Sequence, residues 1–133
     1  MSEFFTVVQK EIYSILANSA ELGAVTNGVF DSVPQGTAYP YVTIGEDVFT
    51  DMSTDTELIN LVSITIHTWS RFSGRSEIKK IQGIIYDLLN RAIISNNEFK
   101  FININQVTAQ SQIDSDGETR HGIQTFNLIL EEL

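Results

Sequence analysis

Asp114-Ser115-Asp116-Gly117-Glu118 concentrates three carboxylates in five residues and resembles a calcium loop at first sight. An EF-hand loop needs its Gly at position six and a bidentate Glu at position twelve. Counted from Asp114, Gly117 falls at position four and Thr125 at position twelve, so the ligand spacing fails. Asp-Gly between two β-rich segments instead predicts a hairpin turn, because Gly adopts φ > 0 without a Cβ clash. His67 and His121 are the only histidines, and the chain has no Cys. Zinc ordinarily takes three or four protein ligands, so two histidines would need carboxylates to complete a site. His67 alternates with Thr65 and Trp69, which predicts a surface or packing histidine on one face of a strand. The sequence contains no Gly-x-Ser-x-Gly elbow, no Walker pattern and no dinucleotide-binding glycine pattern. These residues give catalysis no positive support, and no catalytic residue, metal or cofactor is expected from them. A small hydrolase using His67 or His121 has only the presence of those side chains behind it.

Charge is distributed more informatively than reactive groups. Between Lys10 and Arg71 there is no Lys or Arg, and eight acids fall in that interval. Five of them, Glu46, Asp47, Asp51, Asp55 and Glu57, lie in one short stretch. Six of the eight basic residues (Arg71, Arg75, Lys79, Lys80, Arg91 and Lys100) are gathered between positions 71 and 100. Two readings stand side by side. One is a solvated helix face with a solubilising loop. The other is a pair of complementary patches for head-to-tail self-association, in which Asp51, Asp55 and Glu57 face Arg71, Arg75, Lys79 and Lys80 of a neighbour or partner.

The elements that would carry these residues follow from hydrophobic spacing. Phe4, Val8, Ile12, Ile15, Leu16 and Ala20 recur at intervals of three and four, predicting a helix from Ser2 to about Leu22. Val33-Pro34-Gln35-Gly36 marks residues 29–38 as a turn-rich loop. Residues 39–49 and 57–70 read as strands around an acidic loop, with Tyr39-Pro40 limiting the first to an edge or entry position. In the second strand Leu58, Val62, Ile64 and Ile66 share one face, and Ser63, Thr65, His67 and Trp69 the other. Ile78, Ile81, Ile84, Ile85, Leu88, Leu89, Ala92 and Ile93 form a second amphipathic helix, stopped at Ser95-Asn96-Asn97. Residues 99–112 and 119–132 complete a β-hairpin. The fold class is α+β in the order α-β-β-α-β-β: an antiparallel sheet with both helices packed on one face.

With 133 residues, 42% of them hydrophobic, the chain is expected to form a single domain over residues 1–133 with a sizeable core. Seventeen acids against eight bases give a net charge of −9, which argues against duplex DNA as a ligand. The start of the chain lacks a basic segment and no apolar run approaches 18 residues, so neither a signal peptide nor a membrane span is predicted.

Several segments together resemble the tail-completion, or tail-terminator, proteins of long-tailed bacteriophages and prophages. They are Val29-Phe30-Asp31 with Val33-Pro34-Gln35-Gly36, then Tyr39-Pro40-Tyr41-Val42 leading into Gly45-Glu46-Asp47. Thr65-Ile66-His67-Thr68-Trp69-Ser70 follows ahead of Gly74, and Asp114-x-Asp116-Gly117 precedes Thr119-Arg120-His121-Gly122. Pro34, Gly36, Pro40, Gly45, Trp69, Asp116 and Gly117 are the structural positions of that pattern. Members often carry a basic residue ahead of the Asp-x-Asp-Gly turn; Gln110 and Gln112 stand there in this chain.

The resemblance implies a non-enzymatic virion structural protein at the head-proximal end of the tail tube, made in the bacterial cytoplasm. It implies a ring, six-fold like the tube, that ends tube growth and joins tail to head. The implied partners are further copies of the chain, the tail tube protein and a head-completion or connector protein, without a membrane. Viral DNA would pass through the ring without specific binding, as an acidic wall allows. The alternative is an acidic, DNA-mimicking module that occupies a basic host protein, although the bases at 71–100 interrupt the acidic surface this would need.

Overall fold

The computed structural model describes residues 3–133. Among them are three helices, α1 (Glu3–Ala17), α2 (Ala20–Gly23) and α3 (Ser76–Leu89). The strands are β1 (Val29–Phe30), β2 (Tyr41–Asp51), β3 (Ile59–Ser70), β4 (Phe99–Ile113) and β5 (Arg120–Glu132). They form one sheet in the order β1-β2-β3-β5-β4. The α+β class and the order of the long elements agree with the sequence reading; Ser2 lies outside the described residues.

Alternation decides which face is covered. Val62, Ile64 and Ile66 of β3 and Phe126, Leu128 and Leu130 of β5 are fully or almost fully buried. They form one core cluster with Val8, Ile12 and Leu16 of α1 and Ile81, Ile85 and Leu89 of α3. Both long helices therefore cover the same side of the sheet. Gly122 sits on that side where α3 comes closest: a Cβ there would lie 2.7 Å from Gln82 Nε2 and 3.0 Å from Ile78 Cγ2.

The structure departs from the sequence reading in four places. The four long strands are antiparallel as predicted, but Val29 and Phe30 form a short strand parallel to β2. Gly28 O accepts from Val42 N–H at 3.0 Å and Pro40 O from Asn27 N–H at 2.8 Å, so the expected loop satisfies backbone groups on the outer side of β2. Ser19 caps a separate short helix by accepting from Leu22 N–H at 3.1 Å, so the first helix is broken before Leu22. Leu58 precedes β3 and is exposed rather than facing the core. Helix α3 ends at Leu89, because Asn90 is extended and Arg91 has φ 61°. Arg91 N–H donates to Ile104 O at 2.6 Å, and Ile93, expected on the buried stripe, is 96% exposed.

Candidate functional site

No helix of the described residues lies on the other face of the sheet, and a β-bulge determines what gathers there. The register of β2 against β3 jumps from Ile44↔Ile66 to Asp47↔Ile64, so Gly45 and Glu46 together oppose Thr65. The extra residue turns Glu46 toward the open face and brings Phe49 round to the core side, where it is partly buried. Gly45 leaves room for the His67 ring, and Glu46 Oε1 stands 2.8 Å from His67 Nε2. On the next strand, His67 Nδ1 lies 2.6 Å from His121 Nε2. His121 stacks on Trp69 with ring centroids 3.8 Å apart, and Trp69 Nε1–H donates to Thr43 Oγ1 at 3.1 Å.

Proton positions follow from the partners. A carboxylate only accepts, so His67 Nε2 carries its hydrogen toward Glu46 and His67 Nδ1 accepts from His121 Nε2–H. His121 Nδ1 is left 3.6 Å from Asp114 Oδ1. Burial lowers the His121 pKa from its ordinary value, a proton on the adjacent His67 would lower it further, and Asp114 opposes the shift. Glu46 is held below the usual carboxylate range by its own backbone hydrogen bond and then by His67. No hydroxyl or other nucleophile among the described residues is hydrogen-bonded to either ring. Among the described residues no group of three or more His, Asp or Glu side chains is arranged to hold a metal. The cluster is a cross-strand strut.

The hairpin between β4 and β5 fastens one end of this face. Gly117 has φ +73° and its N–H donates to Asp114 O at 2.9 Å, as the Asp-Gly turn predicts. Asp116 accepts from the N–H groups of Glu118 and Thr119 at 2.9 and 2.8 Å and from the Thr119 hydroxyl at 2.6 Å. These bonds, the Thr119 hydroxyl first, lower its pKa to about 2. Arg71 reaches the same hairpin: its Nε donates to Thr119 Oγ1 at 3.2 Å, and its guanidinium lies 4.7 Å from the Tyr39 ring centroid and 3.8 Å from Asp116. Between hairpin and sheet lies a cleft of about 280 Å³ lined by Tyr39, Tyr41, Thr43, Trp69, Asp114 and Asp116 among others. Pro34 and Gly36 shape the neighbouring turn, where Thr37 N–H donates to Pro34 O at 3.2 Å and Gly36 has φ +87°.

The predicted charge patches do not meet within the chain. Asp51, Asp55 and Glu57 are exposed at the tip joining β2 to β3, and Arg71, Arg75, Lys79 and Lys80 are exposed where β3 gives way to α3. The 12 residues of β3 separate them, about 37 Å at 3.4 Å per step. Arg71 is engaged by the β4–β5 hairpin, whereas Arg75, Lys79 and Lys80 are exposed. Sequence reading placed His67 and Trp69 on one face but missed His121 and Glu46 as their partners. Alternation in β5 was a signal for the former; nothing local announced the bulge behind the latter.

Residues 10–131 match the family described as Tail completion protein gp17. The chain belongs to that family. The tail completion protein gp17 of Bacillus phage SPP1 is 28% identical over 116 residues, covering 87% of this chain and 86% of the relative. A chain in the structure "Virion of native gene transfer agent (GTA) particle" superposes with a TM-score of 0.83 at 22% identity, over 92% of this chain and 93% of that one, and so has the same fold. Tail completion proteins gp17 are phage tail structural proteins and not enzymes. The cross-strand His–Trp cluster accordingly belongs to the framework of a tail component.

Proposed function

We propose that this protein forms a ring, six-fold like the tail tube, at the head-proximal end of the phage tail, where it ends tube growth and joins tail to head. Family membership across residues 10–131 carries the reading. The charge geometry supports it: acids and bases stand at opposite ends of the long β2–β3 hairpin, as two axial surfaces with different partners require. Asp51, Asp55 and Glu57 form one rim and Arg71, Arg75, Lys79 and Lys80 the other. One rim meets the tail tube protein and the other a head-completion or connector protein. The net charge of −9 suits a conduit through which DNA slides without adhering. Assembly takes place in the host cytoplasm. The DNA-mimic alternative is weakened by the basic rim, which interrupts the acidic surface that such a mimic needs.

Electron microscopy of particles made without this protein tests the proposal. Full heads separate from overlong or unjoined tails are expected, with joining restored by supplying the protein in trans. Normally joined particles in its absence would overturn the reading.

A further inference from the structure

β4 is the long edge of the sheet, with a strand partner on one side only. Bare edges invite another strand, and proteins blunt them with Lys, Pro, bulges or covering segments. The first half of β4 is protected in these ways. It contains Lys100, its ladder is bulged at Ile102/Asn105 and Gln106/Thr108, and Asn90 and Arg91 lie against Gln106 and Ile104. The second half, Thr108–Ile113, contains no charged residue, no Pro and no Gly.

Alternation identifies the bare groups. Asp114 N–H donates to Thr119 O at 2.8 Å, so these two form a hydrogen-bonded pair. With the register Ile113↔Arg120, the outward backbone groups then belong to Ile113, Ser111 and Ala109. At the opposite edge, β1 covers β2 only at Val42 and Thr43. Met52 N–H donates to Ile59 O at 2.8 Å, which turns Asp51, Phe49 and Asp47 outward by the same rule. Three antiparallel pairings in succession make β2 and β4 run in opposite senses.

We infer that the bare half of β4 in one copy pairs antiparallel with β2 of the next, with Ala109 opposite Asp51, Ser111 opposite Phe49 and Ile113 opposite Asp47. The inference rests on the ring reading and names its lateral interface. The faces agree: Ser111 lies across from Gly122 and Phe49 across from Val62, both on the helix-covered side, so helices stay on one side of the joined sheet. A one-residue slip would reverse that. Charge agrees as well. β2 brings Asp47 and Asp51 to a segment without charge, and Arg120, whose buried Nε has no hydrogen-bond partner, stands across from Ile113 within reach of Asp47.

The stagger also agrees with closure. Within one chain Gln110 is level with Thr43 through Ile123 and His67, whereas the joined edge sets Gln110 beside Thr50. Allowing for the bulge, that is a displacement of about 20 Å, against about 19 Å for four strand spacings. The strands then incline by roughly 45°, close to the tilt of sheets that close on themselves.

The chain has no native Cys, so the Gln110→Cys/Thr50→Cys double variant tests the pairing directly. Within one chain these positions are about 14 Å apart across three strand spacings and about 20 Å apart along the strands, beyond disulfide reach. Oxidised particles are expected to give a ladder of covalent oligomers up to the ring. Gln110→Cys/Thr43→Cys, which would face each other only without stagger, is expected to stay monomeric on a denaturing gel. A ladder from the second pair instead of the first, or from neither, overturns the inference. Ala109→Pro removes an outward N–H that the chain's own ladder does not use, so it is expected to keep its melting temperature within about 2 °C. Joined particles should fall at least tenfold. Normal joining by this variant overturns the edge pairing while leaving the ring intact, whereas a tail end without any ring in unmodified particles overturns the ring itself. If Ala109→Pro does not fold, the cross-link pair decides.

Discussion

Gly45 and His67 compete for one volume: a Cβ at position 45 would lie 2.5 Å from both Cδ2 and Nε2 of the His67 ring. The absent side chain lets the imidazole lie against the bulge and meet Glu46. Gly45→Ala is therefore expected to destabilise the fold by about 1–3 kcal/mol, the usual range for overpacking. Chemical denaturation would show it as a lower midpoint, and an unchanged midpoint would mean that the ring yields without loss.

Stability should fall as pH drops from 7 toward 5. His121 has a lowered pKa in the folded state, first because of burial and then because its proton would sit beside the His67 ring. The unfolded chain therefore takes up the proton first, at an ordinary value of about 6.5. The loss begins there and levels off below the folded pKa. His121→Phe keeps a ring against Trp69 and removes the titration, so its melting temperature should be flatter over this window. A wild-type slope equal to that of the variant would refute the assignment.

The Asp116 carboxyl, held at about 2 by the Thr119 hydroxyl and nearby N–H groups, acts in a lower window. Its contribution is present above the ordinary Asp value of about 3.9 and is lost as pH falls toward the folded value. At the adjacent Gly117, with φ +73°, Gly117→Val is expected to cost at least 1–2 kcal/mol, an order-of-magnitude figure for a left-handed conformation. Gly117→Asn should cost less, because Asn tolerates that region. Equal thermal stability of the two variants would count against backbone strain as the cause.

Reversing the charge of the acidic rim should separate assembly from folding. Asp51, Asp55 and Glu57 are exposed, so changing all three to Lys is expected to alter stability by little, about 0.5 kcal/mol per site at most. Joined particles in a complementation assay should nevertheless drop at least tenfold, since a like-charged rim repels its former partner. Full complementation would make these acids an ordinary solvated surface.

Much of this protein was readable in its residues. Intervals of three and four marked α1 and α3, alternation marked the two faces of β3, and Asp116-Gly117 marked the turn, because each depends on local geometry. Tertiary structure decided the rest. Arg91 bonds to Ile104, so α3 stops at Leu89 while the apolar spacing continues to Ile93. Asn27 and Gly28 pair with the β2 region, making a strand where composition indicated only a loop. The Glu46–His67–His121–Trp69 cluster draws on β2, β3 and β5 through one bulge and one strand pairing. Whether Glu46 turns toward the histidines depends on how many residues of β2 oppose Thr65. That number is a property of the pairing between strands and appears in neither strand alone.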